Sequence, residues 1–179
     1  MASRRVLVTG GVRSGKSRYA ERLLADEPQV TYLAPGPEPD PVADPEWAAR
    51  IAQHRDRRPA HWTTVETVEV ADAVRGNDGA VLLDCLGTWV TAILEGLDAW
   101  ERAPVEWRGD FDERVDDLVR AWADHPGTAV AVTNEVGWGL VSEHRSGRIF
   151  TDLLGTVNQQ VAAVCDDVFL LVVGRALRL

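Results

Sequence analysis

A glycine-rich segment near the N-terminus constrains the fold of this chain more than any other stretch. Residues 10–17 read GGVRSGKS and fit the pattern G-x-x-x-x-G-K-[ST] of a phosphate-binding loop. Residues 6–9 before the loop are apolar and β-branched, which is typical of a buried strand. Residues 18–25 after it carry apolar side chains at helical spacing. Because strand, loop and helix follow in the order that the motif requires, the sequence predicts a nucleotide-binding protein.

The residue types in the loop suit the binding of phosphate. Glycines let backbone N–H groups point at phosphate oxygens, and the helix N-terminus adds a partial positive charge. We expect Lys16 to reach the β- and γ-phosphates and the Ser17 hydroxyl to bind Mg²⁺. An ordinary glycine turn is the alternative, and the agreement of both flanks with the motif argues against it. The loop residues expected to bind the nucleotide are Gly10, Gly11, Val12, Arg13, Ser14, Gly15, Lys16 and Ser17.

The composition narrows the class of protein. The 179 residues suffice for one well-cored domain, and the formal net charge of −9 argues against general nucleic-acid binding, which needs a basic surface. No apolar run approaches the ~20 residues of a membrane span. The N-terminus leads directly into the first strand, so we expect no signal peptide, because one would have to include the phosphate loop. Cys85 and Cys165 lack metal-ligand spacing, so we expect reduced, buried thiols in a cytoplasmic protein.

Hydrophobic periodicity predicts strands that alternate with helices along the whole chain. Strands are expected at 6–9, 29–34, 62–66, 80–84, 129–133 and 168–173, the last closing the chain. Helices are expected at 18–25, 44–55, 70–75, 87–95, 104–127 and 148–164, and the four prolines of residues 35–41 predict a surface loop. Strands that are apolar on both faces indicate a mostly parallel sheet flanked by helices. We expect an α/β fold of the RecA-like phosphate-loop NTPase type, with residues 1–179 forming a single domain.

Asp84 stands at the carboxyl end of a hydrophobic strand downstream of the phosphate loop. This is the Walker-B position, where a carboxylate organises Mg²⁺ through its water shell. In open parallel sheets, ligands bind beyond the carboxyl ends of the strands, so Asp84 and Gly10 are expected at the same edge. A capping role at the turn that follows the strand is the alternative.

A basic cluster in this acidic chain has the most unusual local chemistry. Residues 50–58 contain four arginines around His54. Neighbouring positive charge favours neutral imidazole, which can act as a nucleophile or as a general base. Arginines bind phosphates and stabilise the charge that builds on a phosphoryl group. The alternative is a solvated basic helix face with an uninvolved histidine. The other histidines, which are expected to be surface or turn residues, are His61, His125 and His144.

Further polar residues are expected at the same edge of the sheet. Glu66 ends a strand, where it binds a ribose hydroxyl, binds a substrate hydroxyl or caps the next helix. Asn134 and Glu135 follow another strand and suit a loop that faces the substrate. Arg148 and Asp152, four residues apart on a helix, are expected to pair with each other.

The order of these motifs resembles one enzyme family over residues 5–175. The resemblance is carried by the phosphate loop, by Arg50-Ile51, His54-Arg55 and Arg58-Pro59, and by the blocks at 62–66, 83–86, 133–137 and 148–159. Together they resemble the bifunctional adenosylcobinamide kinases/adenosylcobinamide-phosphate guanylyltransferases of cobalamin biosynthesis. A small-molecule kinase without nucleotidyl transfer and a regulatory nucleotide-binding protein are the competing interpretations.

The resemblance implies two reactions and a set of site residues. ATP or GTP phosphorylates the aminopropanol hydroxyl of adenosylcobinamide, and GTP then transfers GMP to that phosphate through a covalent intermediate on the histidine that matches His54. Lys16 and Asp84 are the other expected catalytic residues, Ser17 and Asp84 the expected Mg²⁺ ligands, and a homotrimer the expected assembly. The nucleotide-binding residues expected beyond the loop are Arg50, Arg55, Arg58, Glu66 and Asp84.

Overall fold

The computed structural model describes residues 3–37 and 42–179, with the backbone alone at Trp47, Arg50, Gln53, His54 and Arg57. The strands are β1 Arg5–Gly10, β2 Val30–Ala34, β3 Thr63–Glu66, β4 Ala80–Asp84, β5 Ala129–Val132, β6 Asp167–Val172 and β7 Arg175–Arg178. The helices are α1 Lys16–Leu23, α2 Pro45–Arg57, α3 Val70–Arg75, α4 Leu86–Gly96, α5 Arg108–Asp124 and α6 Arg145–Ala163, with a 3₁₀ turn at Pro104–Glu106.

The described strands form one sheet in the order β3-β2-β4-β5-β1-β6-β7. All neighbouring pairs are parallel except β6 and β7. A parallel sheet needs cover on both faces because its strands are apolar on both sides. The prediction of a mostly parallel sheet flanked by helices is confirmed.

Alternation along the strands divides the core between the two faces of the sheet. On one face, Leu7, Leu83 and Ala131 pack in a cluster with residues of α3, α4, α5 and α6. On the other face, buried residues of the same strands pack with Ala20 and Leu24, which follow the phosphate loop in the chain. α1 and the phosphate loop before it therefore lie on this second face of the sheet, where the candidate site is found.

The last strand of the chain is β7, not β6 as predicted from the sequence. Val173 and Gly174 adopt positive φ values of 47° and 79°, which reverse the chain into β7. All four residues of β7 are exposed, so this strand lacks the apolar pattern that marked the others. Its Arg178 instead binds the buried Asp167 carboxylate, with Nε 2.5 Å from Oδ1, and Arg4 binds Oδ2 of the same group at 2.6 Å.

Several local expectations also need correction. α6 begins at Arg145 rather than at 148, and the predicted 104–127 helix is divided into the 3₁₀ turn and α5. His125 is buried and is not a surface residue. It lies between α5 and β4, where its Nε2 is 2.9 Å from the Gly79 carbonyl oxygen. Burial lowers its pKa below the ordinary histidine value. Cys85 and Cys165 are free thiols as expected, but each is only partly buried.

Within residues 3–37 and 42–179, no helix has the length and apolar character needed to cross a membrane.

Candidate active site

A cavity of about 180 Å³ opens at the carboxyl ends of the central strands. Asp84 ends β4 and Glu66 ends β3, and β2 lies between these strands. Neighbouring strands are about 4.8 Å apart, so the two carboxyl-bearing residues are separated by roughly 10 Å across β2. The residues from the predicted set that line this one cavity are Lys16, Ser17, Arg55, Arg58, Glu66 and Asp84.

The phosphate loop borders the cavity and turns into α1 through a left-handed residue. Gly15 has a φ of 97°, a conformation that favours glycine, and it directly precedes Lys16. Lys16 is buried, and its Nζ donates a hydrogen bond to the Gly11 carbonyl at 2.9 Å. The amide of Gly174, in the β6–β7 turn, donates to the Ser14 carbonyl at 2.9 Å and so supports the loop from outside. The loop therefore presents an ammonium group and a helix N-terminus to the cavity.

Asp84 does not take the capping role that the sequence left open. The N-cap of α4 is Cys85, whereas the Asp84 carboxylate accepts a hydrogen bond of 2.9 Å from the Tyr32 hydroxyl. Burial, reinforced by the Asp84 charge, raises the pKa of Tyr32 well above the ordinary tyrosine value. The hydroxyl therefore remains a donor at neutral pH, and it sets the direction of the carboxylate at the edge of the cavity.

The oxygen donors present fit Mg²⁺. Mg²⁺ is held through one or two protein oxygens together with substrate phosphates and water, rather than by an all-protein cage. The Ser17 hydroxyl and the Asp84 carboxylate line the same cavity as Lys16. Among the described residues, no group of three or more His, Cys, Asp or Glu side chains forms a cage for a metal ion.

Two arginines of the basic cluster reach the cavity from α2 and the residue after it. Arg55 donates to the Glu66 carboxylate. Arg58 stacks on the Tyr32 ring, with 3.3 Å between Cζ and the ring centroid, and its Nη1 donates to Thr64 Oγ1 at 3.0 Å. Glu66 is therefore bound to an arginine and does not cap the next helix, whose N-cap is Glu69.

The positions of His54 and Arg50 are given by the backbone of α2 alone. His54 directly precedes Arg55 in the helix and stands four residues before Arg58. Arg50 lies one helical turn before His54. Their side chains lie outside the described part of the structure, so their predicted roles stay predictions.

The β5–α6 loop reaches the cavity as predicted, but its supports differ from expectation. Asn134 lines the cavity, and its carbonyl accepts a hydrogen bond of 3.1 Å from Asn158. Thr133 Oγ1 donates to the Asn158 side chain at 2.6 Å. The Arg148 guanidinium donates to the carbonyls of residues 142 and 143, at 2.9 and 2.8 Å. The guanidinium therefore anchors the end of the loop, and in the part of the chain that the structure describes it forms no hydrogen bond or ion pair with Asp152, so the prediction that these two side chains pair is wrong.

Tyr32 and Thr64 are two members of the site that were not predicted from the sequence. Tyr32 stands two residues before the end of an apolar strand, where a large side chain indicates packing. Its hydroxyl was the available signal, because a buried tyrosine oxygen needs a polar partner. Thr64 carried no comparable signal, since an exposed threonine on an edge strand is common.

Comparison with known proteins decides the family. The model of the family described as cobinamide kinase / cobinamide phosphate guanyltransferase matches residues 6–179. The chain belongs to this family. The resemblance drawn from the motifs is confirmed, and with it the prediction that the chain is a transferase enzyme.

Curated relatives of the family are similar over almost the whole chain. The bifunctional adenosylcobalamin biosynthesis protein CobU of Salmonella typhimurium is 44% identical over 180 residues, which cover 94% of this chain and 96% of that protein. The protein of the same name from Escherichia coli is 43% identical over 178 residues, with the same two coverages. The bifunctional adenosylcobalamin biosynthesis protein CobP of Pseudomonas aeruginosa is 36% identical over 180 residues, covering 95% of this chain and 94% of that protein.

A solved structure supports the fold class. It was described as a prototypical ATPase from the type III secretion system of pathogenic bacteria, and it superimposes with a TM-score of 0.60 at 11% identity. The match covers 94% of this chain and 51% of that one, so the chain spans about half the length of the ATPase. At this identity the likeness shows the fold alone, and it agrees with the predicted α/β architecture of a mostly parallel sheet flanked by helices.

Proposed function

We propose that this member of the cobinamide kinase/guanylyltransferase family carries out two successive reactions at the cavity. In the first, ATP or GTP phosphorylates the aminopropanol hydroxyl of adenosylcobinamide. In the second, GMP passes from GTP to that phosphate by way of His54, which gives adenosylcobinamide-GDP and pyrophosphate. The observation that carries the proposal is that one cavity joins the phosphate loop, Asp84 and two arginines from the segment that contains His54.

The residues divide the work between positioning and charge stabilisation. Lys16 and the N-terminal amides of α1 hold the β- and γ-phosphates, which orients the nucleotide for attack. Arg55 lies beside Glu66, and Arg58 lies beside Tyr32. We propose that both guanidinium groups bind phosphoryl oxygens. Glu66 accepts hydrogen bonds, and we propose that it binds a hydroxyl of the ribose.

The proposed guanylyl transfer proceeds in two steps. The neutral imidazole of His54 attacks the α-phosphorus of GTP, an N–P bond forms, and the bond to the β-phosphate oxygen breaks to release pyrophosphate. An oxygen of the corrinoid phosphate then attacks the same phosphorus, and the N–P bond breaks to return neutral His54. The positive charge of Arg50, Arg55 and Arg58 favours the neutral imidazole between turnovers.

We propose that Ser17 and Asp84 hold Mg²⁺ together with the nucleotide phosphates. When bound, the ion neutralises charge on the phosphate oxygens. The support is the pair of oxygen donors that line the same cavity and the hydrogen bond that fixes Asp84.

A product assay tests the two activities. The purified protein is incubated with adenosylcobinamide, ATP, GTP and Mg²⁺. The corrinoids are then separated, and their masses are measured by mass spectrometry. Adenosylcobinamide-GDP is the expected product. Lys16→Ala is expected to make neither the phosphate nor the GDP derivative, because it removes the cation that positions the triphosphate. His144→Ala, which removes an exposed histidine away from the cavity, is the matched control.

The alternatives predict different products. A kinase without nucleotidyl transfer stops at adenosylcobinamide phosphate in the presence of GTP. A regulatory nucleotide-binding protein leaves the corrinoid unchanged and retains GDP tightly. Either result would contradict the proposal.

We further propose that residues 1–179 act as one domain and that the enzyme works in the cytoplasm as a homotrimer. The support is the resemblance of the motifs to the family. Light scattering on the eluting protein tests the assembly, with three times the mass of the 19.6 kDa chain expected. A monomer would contradict it.

A further inference from the structure

Tyr32 contacts both Asp84 and Arg58, two parts of the site that are far apart in the sequence. The register places Tyr32 beside Thr64 on one neighbouring strand and beside Leu82 on the other. Asp84 stands two residues beyond Leu82, so its side chain leaves the same face of the sheet one step nearer the cavity. The Tyr32 side chain spans that step, and its hydroxyl donates to Asp84 Oδ2 at 2.9 Å.

The ring of Tyr32 supports an arginine while its hydroxyl holds the carboxylate. Arg58 Cζ lies 3.3 Å from the ring centroid, and Nη1 of the same arginine is fixed by Thr64 at 3.0 Å. Tyr32 is only 2% exposed, so the surrounding core keeps the ring in one orientation. One rigid side chain thus sets the places of an expected metal ligand and of an expected phosphate ligand.

We propose that Tyr32 is a positioning residue that aligns Asp84 and Arg58 for a metal–triphosphate complex. This inference rests on the proposed function, and it adds a division of labour within one side chain. The hydroxyl orients the carboxylate toward the metal. The aromatic face holds the guanidinium at the height of the phosphates and exploits the attraction between a cation and a π-system.

Two substitutions at Tyr32 separate these contributions. Tyr32→Phe removes the bond to Asp84 and keeps the surface on which Arg58 stacks, whereas Tyr32→Leu removes both. Thr64→Val removes the other support of Arg58 at an exposed position, so it tests the arginine contribution without disturbing the core. Tyr19→Phe is the matched control, because the Tyr19 ring packs edge-on against Phe169 at a centroid distance of 5.3 Å, outside the site.

The measurements are binding constants rather than rates. Mn²⁺ replaces Mg²⁺ as a paramagnetic probe, and its affinity is titrated by electron paramagnetic resonance in the presence of α,β-methylene-GTP, which cannot transfer GMP. The affinity for α,β-methylene-GTP without metal is measured by calorimetry in EDTA. Thermal unfolding of each variant reports whether the fold is retained.

We expect Tyr32→Phe to weaken Mn²⁺ binding about tenfold, the usual loss when the partner of a metal ligand is removed, and to leave metal-free nucleotide binding unchanged. Tyr32→Leu and Thr64→Val are expected to weaken metal-free nucleotide binding as well, and Tyr19→Phe to change neither constant. If Mn²⁺ affinity is unchanged in Tyr32→Phe but weakened in Asp84→Asn, the role of the hydroxyl is overturned and the proposed metal site stands. Unchanged Mn²⁺ affinity in Asp84→Asn would overturn the proposed metal site and this inference together. If Tyr32→Phe and Tyr32→Leu do not fold, unchanged nucleotide binding in Thr64→Val overturns the arginine role.

Discussion

Arg55 in α2 donates a hydrogen bond to Glu66 at the end of β3. The contact ties the helix that carries His54 to the edge of the sheet where the cavity opens. Both side chains are partly exposed, at 48% and 39%, so solvent screens the pair and it contributes little to the stability of the fold. Its importance is expected in the placement of α2 relative to the phosphate loop.

Glu66→Gln is the first test of that placement. We expect the KM for GTP in the guanylyl transfer to rise several-fold, since the charge that holds Arg55 and accepts the ribose hydroxyl is lost. The unfolding free energy is expected to change by less than ~1 kcal/mol, as for other exposed ion pairs. Steady-state kinetics and urea unfolding measure the two quantities. A large loss of stability with an unchanged KM would show that the contact is structural.

The phosphate loop needs glycine at position 15. Gly15→Ala places a Cβ on a residue with a φ of 97°, which we expect to cost about 1–2 kcal/mol and to distort the amides that bind phosphate. Gly155→Ala is the control, because it adds a methyl group in open space within α6, where alanine is favoured by roughly 1 kcal/mol. Opposite shifts of the two denaturation midpoints are expected. Equal shifts would contradict the assignment of strain to Gly15.

The buried carboxylate of Asp167 fastens the C-terminal strand to the rest of the sheet. It binds Arg178 of β7 at 2.5 Å and Arg4 at 2.6 Å, with only 5% of its side chain exposed. Asp167→Asn is expected to lower the unfolding free energy by about 1–3 kcal/mol, because the hydrogen bond to Arg4 and the ion pair with Arg178 both lose the charge of a buried carboxylate. Asp112→Asn, which removes an exposed partner of Arg108, is expected to cost less than ~0.5 kcal/mol. Equal effects of the two variants would contradict this role of Asp167.

His125 makes the stability depend on pH in a definite direction. Burial lowers its pKa in the folded chain below the ordinary value of 6.5, so the unfolded chain binds the proton more readily. Its contribution is therefore complete above pH 6.5 and is lost as the pH falls from 6.5 toward the pKa of the folded state. We expect the unfolding free energy to fall less steeply from pH 8 to pH 5 in His125→Gln than in the wild type. His144→Gln, at an exposed position, is expected to follow the wild type, and coincident curves for all three would contradict the prediction.

The sequence could predict those features that rest on local patterns. Continuous apolar strands, the glycine loop and the carboxyl end of β4 correctly indicated the sheet, the edge at which the cavity opens and the place of Asp84 at that edge. β7 was not predicted because its four exposed residues have no apolar periodicity. Its attachment depends on the ion pair between Asp167 and Arg178, which no local sequence pattern indicates. His125 escaped because its partner, the Gly79 carbonyl, is 46 residues away in the chain. Tyr32 escaped because only the register of three strands brings it to Asp84 and Thr64.

We propose that His54 carries GMP between GTP and the corrinoid phosphate. The most direct measurement incubates the chain with GTP labelled at the α-phosphate, without corrinoid, and maps the label by tandem mass spectrometry of the peptides. We predict one acid-labile, base-stable GMP adduct, located at His54, absent from His54→Ala and retained in His61→Ala. An adduct that persists in His54→Ala, or that maps to another residue, would contradict the account.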